Sequence, residues 1–159
     1  MSSNNIVFKP IGIIHTEFKN KINVPIQPRF SNSKGTVEIF PEFVVGLKDL
    51  ENFSHIILIY YFHESKSYDL EVRPYLDEKK RGVFATRAPR RPNNIGISIV
   101  ELEKVVKNIL YVNKLDMIDK TPLLDIKPYI KSFDIKTNSK EGWVKGKIKQ
   151  NHISDNRFS

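Results

Sequence analysis

The chain has 159 residues, 40% of them apolar, and carries 26 basic against 18 acidic side chains, for a net charge of +8 and an isoelectric point near 9.6. That length suits one domain, residues 1–159, with a proper core. The absence of cysteine excludes disulfides, thiolate zinc sites and thiol nucleophiles, and no apolar run is long enough to span a bilayer.

The excess of positive charge fits a polyanionic partner such as RNA, and equally a lysine-rich solvated surface. It is unevenly placed. Residues 79–91 hold six basic side chains and no acidic one, and residues 127–149 hold seven lysines against Asp134 and Glu141. The opening MSSNNIVFKP lacks the apolar core of a signal peptide, so a soluble, cytoplasmic protein is expected, with residues 1–5 loosely ordered.

In chain order, residues 11–16 and 35–40 are short β-prone runs. Between them lies the stiff Val24-Pro25-Ile26-Gln27-Pro28-Arg29 loop. Residues 42–50 are the one short helix candidate. The run HIILIYYF, residues 55–62, is apolar without alternation and reads as a buried strand. Residues 98–106 and 109–115 form two arms around a Lys107-Asn108 hairpin turn. A helix could also be drawn through Ile99, Leu102 and Val106. The polar tail from about 151 to 159 is expected to be loose. Many strands and few helices predict a mainly β fold, a small antiparallel barrel.

The richest segment is GVFATRAPRRPNNIG, residues 82–96. Residues 83–85 read as a short apolar strand that enters a loop with Arg87, Arg90 and Arg91. Two prolines hold this loop extended, because proline fixes its own φ and restricts the residue before it. Guanidinium groups on a stiff backbone suit an anionic or planar ligand, and the same residues also suit a basic surface loop. A second cluster holds Asp116 and Asp119, three residues apart in DMIDKTP. They could accept ribose hydroxyls, face a cation or make an Asx turn. The seven glycines never form GxG, so neither a dinucleotide fingerprint nor a P-loop is present. His15, His55, His63 and His152 fall at no familiar metal spacing, and no serine sits in a nucleophile elbow.

ATRAPRRPNNIG resembles the ATRSPxRPNxIG signature of the tRNA N(6)-threonylcarbamoyladenosine methyltransferase family. The likeness continues through SIVEL, DMIDKTP, LLDIKPYI, IGIIHTEF, PIQP and the strand ending in FHE, and it spans about residues 8–135. The resemblance implies a β-barrel homodimer that binds S-adenosylmethionine without a Rossmann domain, uses no metal, and methylates the exocyclic nitrogen of threonylcarbamoyladenosine beside the tRNA anticodon. The implied cofactor contacts are Pro25, Ile26, Gln27, His63, Glu64, Arg87, Ile97, Met117, Ile118, Asp119 and Lys120. Methyl transfer from a sulfonium needs alignment and a weak base rather than a covalent nucleophile. Asp119, Asp116 and His63 are candidates for that base, in that order. Arg90, Arg91, Asn93, Lys127 and Tyr129 are candidates for the substrate side, with Arg91 or Lys127 placed to meet the threonyl carboxylate. The chain departs from the family pattern at Ala88, usually serine, and at Lys120, usually glycine. It reads as a short form without the C-terminal extension of longer members.

Overall fold

A computed structural model describes residues 4–148 and 152–158. Six antiparallel strands close into a barrel in the order β1, β2, β7, β6, β3, β8. They are β1 (Gly12–His15), β2 (Lys34–Ile39), β3 (His55–Tyr61), β6 (Ile95–Val106), β7 (Ile109–Asn113) and β8 (Thr121–Pro128). Between β3 and β6 a two-stranded ribbon, β4 (Glu71–Val72) with β5 (Arg81–Gly82), stands apart. Among the described residues, one four-residue α-helix, Lys131–Asp134, and several 3-10 turns complete the chain. The expectation of a mainly antiparallel barrel holds.

Closure follows from alternation. Successive strand residues face opposite sides, so Ile14, Val37, Ile56, Leu58, Val100, Leu110, Val112 and Leu123 fill the interior, each at most 1% exposed. The β3 run is apolar on both faces, but only Ile56, Leu58 and Tyr60 point inward. Its outer face pairs Ile57 with Ile99, Ile59 with Ile97 and Tyr61 with Ile95, which makes a half-exposed apolar stripe across β3 and β6. The hairpin at Lys107-Asn108 is present. Lys107 takes a left-handed φ of 55°, and Asn108 exchanges hydrogen bonds with the Ile39 backbone.

Several expectations give way. Residues 83–85 form a 3-10 turn rather than a strand. The Thr86 hydroxyl and amide both bond the Val83 carbonyl, curling a run too short to find a ladder partner. The helix expected over 42–50 is a 3-10 turn, Pro41–Leu47. The helical alternative through Ile99, Leu102 and Val106 is replaced by β6.

Of the tail expected to be loose, residues 152–158 lie back on the protein, while 149–151 and 159 fall outside the described residues. The Ser154 amide donates to the Val24 carbonyl, its carbonyl accepts the Asn23 amide, and its hydroxyl receives the Val24 amide at 2.8 Å and donates to the Lys21 carbonyl. Phe158 joins Val72, Val83, Ala88 and Tyr75 in a second apolar cluster. Ala88 is therefore buried among apolar groups, which suits the methyl that stands where the family usually has serine.

Candidate active site

Antiparallel closure brings the C-terminal ends of β1, β3 and β7 to the same rim as the N-terminal ends of β2, β6 and β8. At that rim, residues 24–27, 29–30, 84–89, 91, 95–97 and 116–118 line a cavity of about 780 Å³. Tyr60 and Phe62 from β3 and its extension line it, as do Glu141, Trp143 and Phe158 from the C-terminal segment. Among the described residues, no three His, Cys, Asp or Glu side chains gather where they could hold a metal ion.

A chain of three polar groups reaches the cavity. The Tyr60 hydroxyl lies 2.9 Å from Ser98 Oγ, and Ser98 Oγ–H donates to Asp116 Oδ1 at 2.5 Å. A serine hydroxyl has one proton, so Tyr60 donates to Ser98 while Ser98 donates to Asp116. Asp116 keeps some surface toward the cavity, yet burial around its carboxyl pushes its pKa up to about 7, against the opposing pull of Ser98 and Arg87. Burial, then the Asp116 charge, also raises Tyr60 well above the usual phenol value. Gly96 makes this arrangement possible. A Cβ there would sit 2.3 Å from the Tyr60 ring and 2.8 Å from the Phe62 ring. Bare backbone lets both aromatics lie over β6.

The turn that carries Asp116 is held from two sides. Ser31 Oγ donates to the Leu115 carbonyl, and Thr16 Oγ1 donates to the Met117 carbonyl at 3.0 Å. Asp119 faces away from the cavity. Its carboxylate accepts the Thr16 amide at 3.0 Å and Lys19 Nζ at 2.7 Å. Burial opposes its ionisation, but these two partners outweigh it and hold the carboxyl below the usual range. Lys120 adopts φ 63°, so the left-handed turn that usually takes glycine is made here by lysine.

The three loop arginines have three different partners. Arg87 Nη1 donates to Gln27 Oε1 at 2.5 Å and joins the first loop to the arginine loop over the cavity. Arg91 also lines the cavity, and its guanidinium bonds the loop's own Thr86 and Ala88 carbonyls at 3.0 and 3.1 Å. Arg90 turns outward to Ser67 and Asp69. Asn94 Nδ2 caps the Pro89 carbonyl at 2.8 Å and closes the loop at its far side.

Of the expected cofactor residues, Pro25, Ile26, Gln27, Glu64, Arg87, Ile97, Met117 and Ile118 line the cavity together, whereas His63, Asp119 and Lys120 do not. His63 instead lies 3.9 Å from Glu64, with its Nδ1 buried and unbonded. Of the expected substrate residues, only Arg91 lines the cavity. Asn93 is exposed on the loop. Lys127 and Tyr129 sit at the opposite end of the barrel. There Lys127 pairs with Asp125 at 2.9 Å, and the Tyr129 ring meets His55. Strand β8 runs away from the cavity, so residues following the aspartate turn in sequence leave the site in space.

Sequence reasoning did not single out Tyr60, Ser98, Phe84 or Trp143, all of which bear on this rim. A serine inside a run of isoleucines and valines was the one available signal for Ser98, since a buried hydroxyl needs a partner. The residue ranges also show why Pro25 to Gln27 are held in place. Pro25 bridges Ile153, and the C-terminal segment pins the loop.

Comparison with known proteins agrees with this geometry. The family described as the tRNA-methyltransferase O N-terminal domain matches residues 13–135. A probable S-adenosyl-L-methionine-binding protein of Pyrococcus abyssi is 55% identical over 144 residues, covering 90% of this chain and 78% of that protein. A tRNA (adenine(37)-N6)-methyltransferase of Mus musculus is 40% identical, covering 87% of this chain but 34% of its own length. A crystal structure of TrmO from Pseudomonas aeruginosa superposes with a TM-score of 0.74 at 37% identity, covering 87% of this chain and 62% of the crystallised chain. The chain thus spans about a third of the mouse enzyme. Glu141, Trp143, Val144, Ile148, Ser154 and Phe158, which also line the cavity, lie beyond the matched family segment.

Proposed function

The chain belongs to the family of the tRNA-methyltransferase O N-terminal domain, and from that premise we propose that it uses S-adenosylmethionine to methylate the exocyclic nitrogen of threonylcarbamoyladenosine beside the tRNA anticodon. The observation that carries the proposal is a cavity with Asp116, Ser98 and Tyr60 at one side and the Gln27–Arg87 pair at another.

The residues fit such a donor. Arg87 with Gln27 would meet its carboxylate, and Ile26, Phe62, Met117 and Ile118 offer apolar surface for its adenosine. When bound, the donor supplies a methyl group on a good leaving sulfur. The protein's work is alignment, a source of up to ~7–11 kcal/mol, together with proton removal. Asp116 would take the N–H proton of the acceptor nitrogen. A carboxyl with a pKa near 7 is ionised often enough and basic enough for this role. Ser98 and Tyr60 hold it in place. Asp116 replaces Asp119 as the favoured base, because Asp119 is committed to Thr16 and Lys19. Arg91 at the cavity would meet the threonyl carboxylate.

The same proposal takes the working form as a homodimer joined through the apolar stripe of Ile57, Ile59, Ile97 and Ile99, acting in the cytoplasm without metal. Exposed apolar stripes of this kind are found where proteins meet partners. The deciding experiment is nucleoside mass analysis of tRNA before and after incubation with protein and donor. A gain of one methyl on threonylcarbamoyladenosine is expected. Donor binding with no methyl gain on any tRNA would favour the second reading, a donor-binding protein acting on another acceptor; the Pyrococcus abyssi relative is described as a probable donor-binding protein.

A further inference from the structure

Phe84 is 77% exposed, yet the turn that holds it is fixed by hydrogen bonds at the residues on either side. Beneath it Val83 is 1% exposed in the second apolar cluster, and the Val83 amide bonds the Leu70 carbonyl at 2.9 Å. The Thr86 amide and hydroxyl close the turn on the Val83 carbonyl at 3.1 and 2.8 Å. On the next residue, the Ala85 carbonyl accepts Trp143 Nε1–H at 2.7 Å. The turn therefore fixes a phenyl ring in water at the cavity mouth, where its ring has no aromatic or cationic contact among the described residues. A purely structural phenylalanine would point the other way, into the cluster that Val83 fills.

Resting on the reading of the acceptor as a tRNA nucleotide, we propose that Phe84 is the platform on which the acceptor purine stacks as it leaves the RNA and enters the cavity. Enzymes that modify a base must take it out of its stack, and an aromatic face replaces the lost neighbour without regard to sequence. The flanking groups suit this role. Arg87 follows three residues on and lines the same cavity, and Arg81 and Lys147, 5.6 and 5.7 Å from the Trp143 ring, both pair with Asp77, at 2.6 and 2.9 Å, so that this cluster beside the mouth keeps a net positive charge. The donor also carries a purine, so the two sources of adenine must be separated by experiment.

The test uses the whole protein with Phe84→Ala, Phe84→Leu and Phe84→Tyr variants. The RNA probe is an anticodon stem-loop with 2-aminopurine at the acceptor position, whose emission falls on stacking. Ala and Leu should raise KM for tRNA at least about ten-fold and abolish the emission change, Tyr should restore both, and donor affinity by calorimetry should stay within about two-fold. Leu keeps the apolar volume, so a shape-only role would leave its KM near that of the parent. Unchanged tRNA KM and unchanged emission in the Ala variant overturn the proposal. So does an equal loss of donor affinity, which would assign the ring to the donor's adenine, or a change of oligomeric state by light scattering, which would make it a subunit contact. If the parent protein methylates no tRNA, the functional reading falls, and the emission arm still decides the stacking: loss of the change in Phe84→Leu supports it, and its persistence sinks it.

Discussion

Asp116 and Asp119 are three residues apart in one turn, and the protein drives their carboxyls in opposite directions. Burial raises Asp116 to about 7 beside Ser98, while Lys19 and the Thr16 amide hold Asp119 low against the same desolvation. Two aspartates at that spacing on a helix would share a face, but here the intervening Met117 and Ile118 are not helical, and the two carboxyls reach different partners.

The first prediction concerns rate. Asp116→Asn keeps an acceptor for Ser98 but cannot take a proton. Its kcat should fall roughly 10²- to 10⁴-fold, with donor affinity little changed. The parent rate should rise with pH through about 7, and the variant should lose that limb. A pH–rate profile of both proteins, and a variant profile that keeps the limb, would remove Asp116 from the proton's path.

Stability should respond with opposite signs at the two sites. For Asp116 the folded carboxyl keeps its proton to higher pH than the unfolded one, so its contribution is most favourable below about 4 and declines as pH rises to about 7. Asp116→Asn should therefore raise Tm at pH 8 more than at pH 5. The underlying cost is on the order of a few kcal/mol at most, because Asp116 keeps some surface toward the cavity. For Asp119 the folded carboxyl is held low, so its contribution is present above about 4 and is lost as pH falls. Asp119→Asn should cost about 1 kcal/mol at pH 7, and the gap should close in acid. Thermal melts of both variants across pH 3 to 8 check the two signs together.

Arg87→Ala should weaken donor binding by about 10- to 100-fold, in line with losing a charge-assisted bond. Its melting temperature should move little, since its guanidinium is exposed and, among the described residues, bonds the side chain of Gln27. Calorimetry with donor, alongside a thermal melt, measures both. Loss of fold together with binding would make Arg87 a structural clasp instead.

Ile99 lies on the outer stripe, opposite Ile57, and does not line the cavity. Ile99→Lys should turn a dimer of twice 18.5 kDa into a monomer by light scattering while leaving the melting curve cooperative. A dimer that survives the charge would place the subunit contact elsewhere.

Lys120→Gly should stabilise the protein by up to about 1 kcal/mol, since lysine at φ 63° carries a strain that glycine lacks, offset by glycine's greater freedom when unfolded. Denaturant titration reads the difference, and a loss of stability would mean that the Lys120 side chain contributes more than its backbone strain costs.

The strands were legible where alternation or β-branching was dense. The runs at 11–16, 35–40, 55–62 and the 98–115 hairpin all became barrel strands. What was not legible depends on closure. Tyr60 and Ser98 sit inside two apolar runs that look uniformly buried, and only the β3–β6 register brings the hydroxyls together. Lys127 and Tyr129, expected on the substrate side, lie at the end of β8 and just beyond it, and an extended strand carries its residues some 3.3 Å per step away from the rim. Residues 83–85 looked like a strand because Val and Phe favour one, whereas a threonine hydroxyl three residues on decided for a turn. The expected residues of the stiff first loop, Pro25, Ile26 and Gln27, all line the cavity, where proline leaves the chain few alternatives.

Closure also sets an order of events for a nascent chain. The strand at residue 12 is joined to its neighbour at residue 123, so the barrel cannot seal until nearly the whole matched segment has been translated. Until then β1 and β3, the two neighbours of β8, offer open edges to any other strand in reach. Such distant pairing places folding in the slow range of milliseconds to seconds. Every loop of the cavity hangs from those same strands, so the site arises only in the last step, and a growing chain held on the ribosome short of residue 121 should have no affinity for the donor.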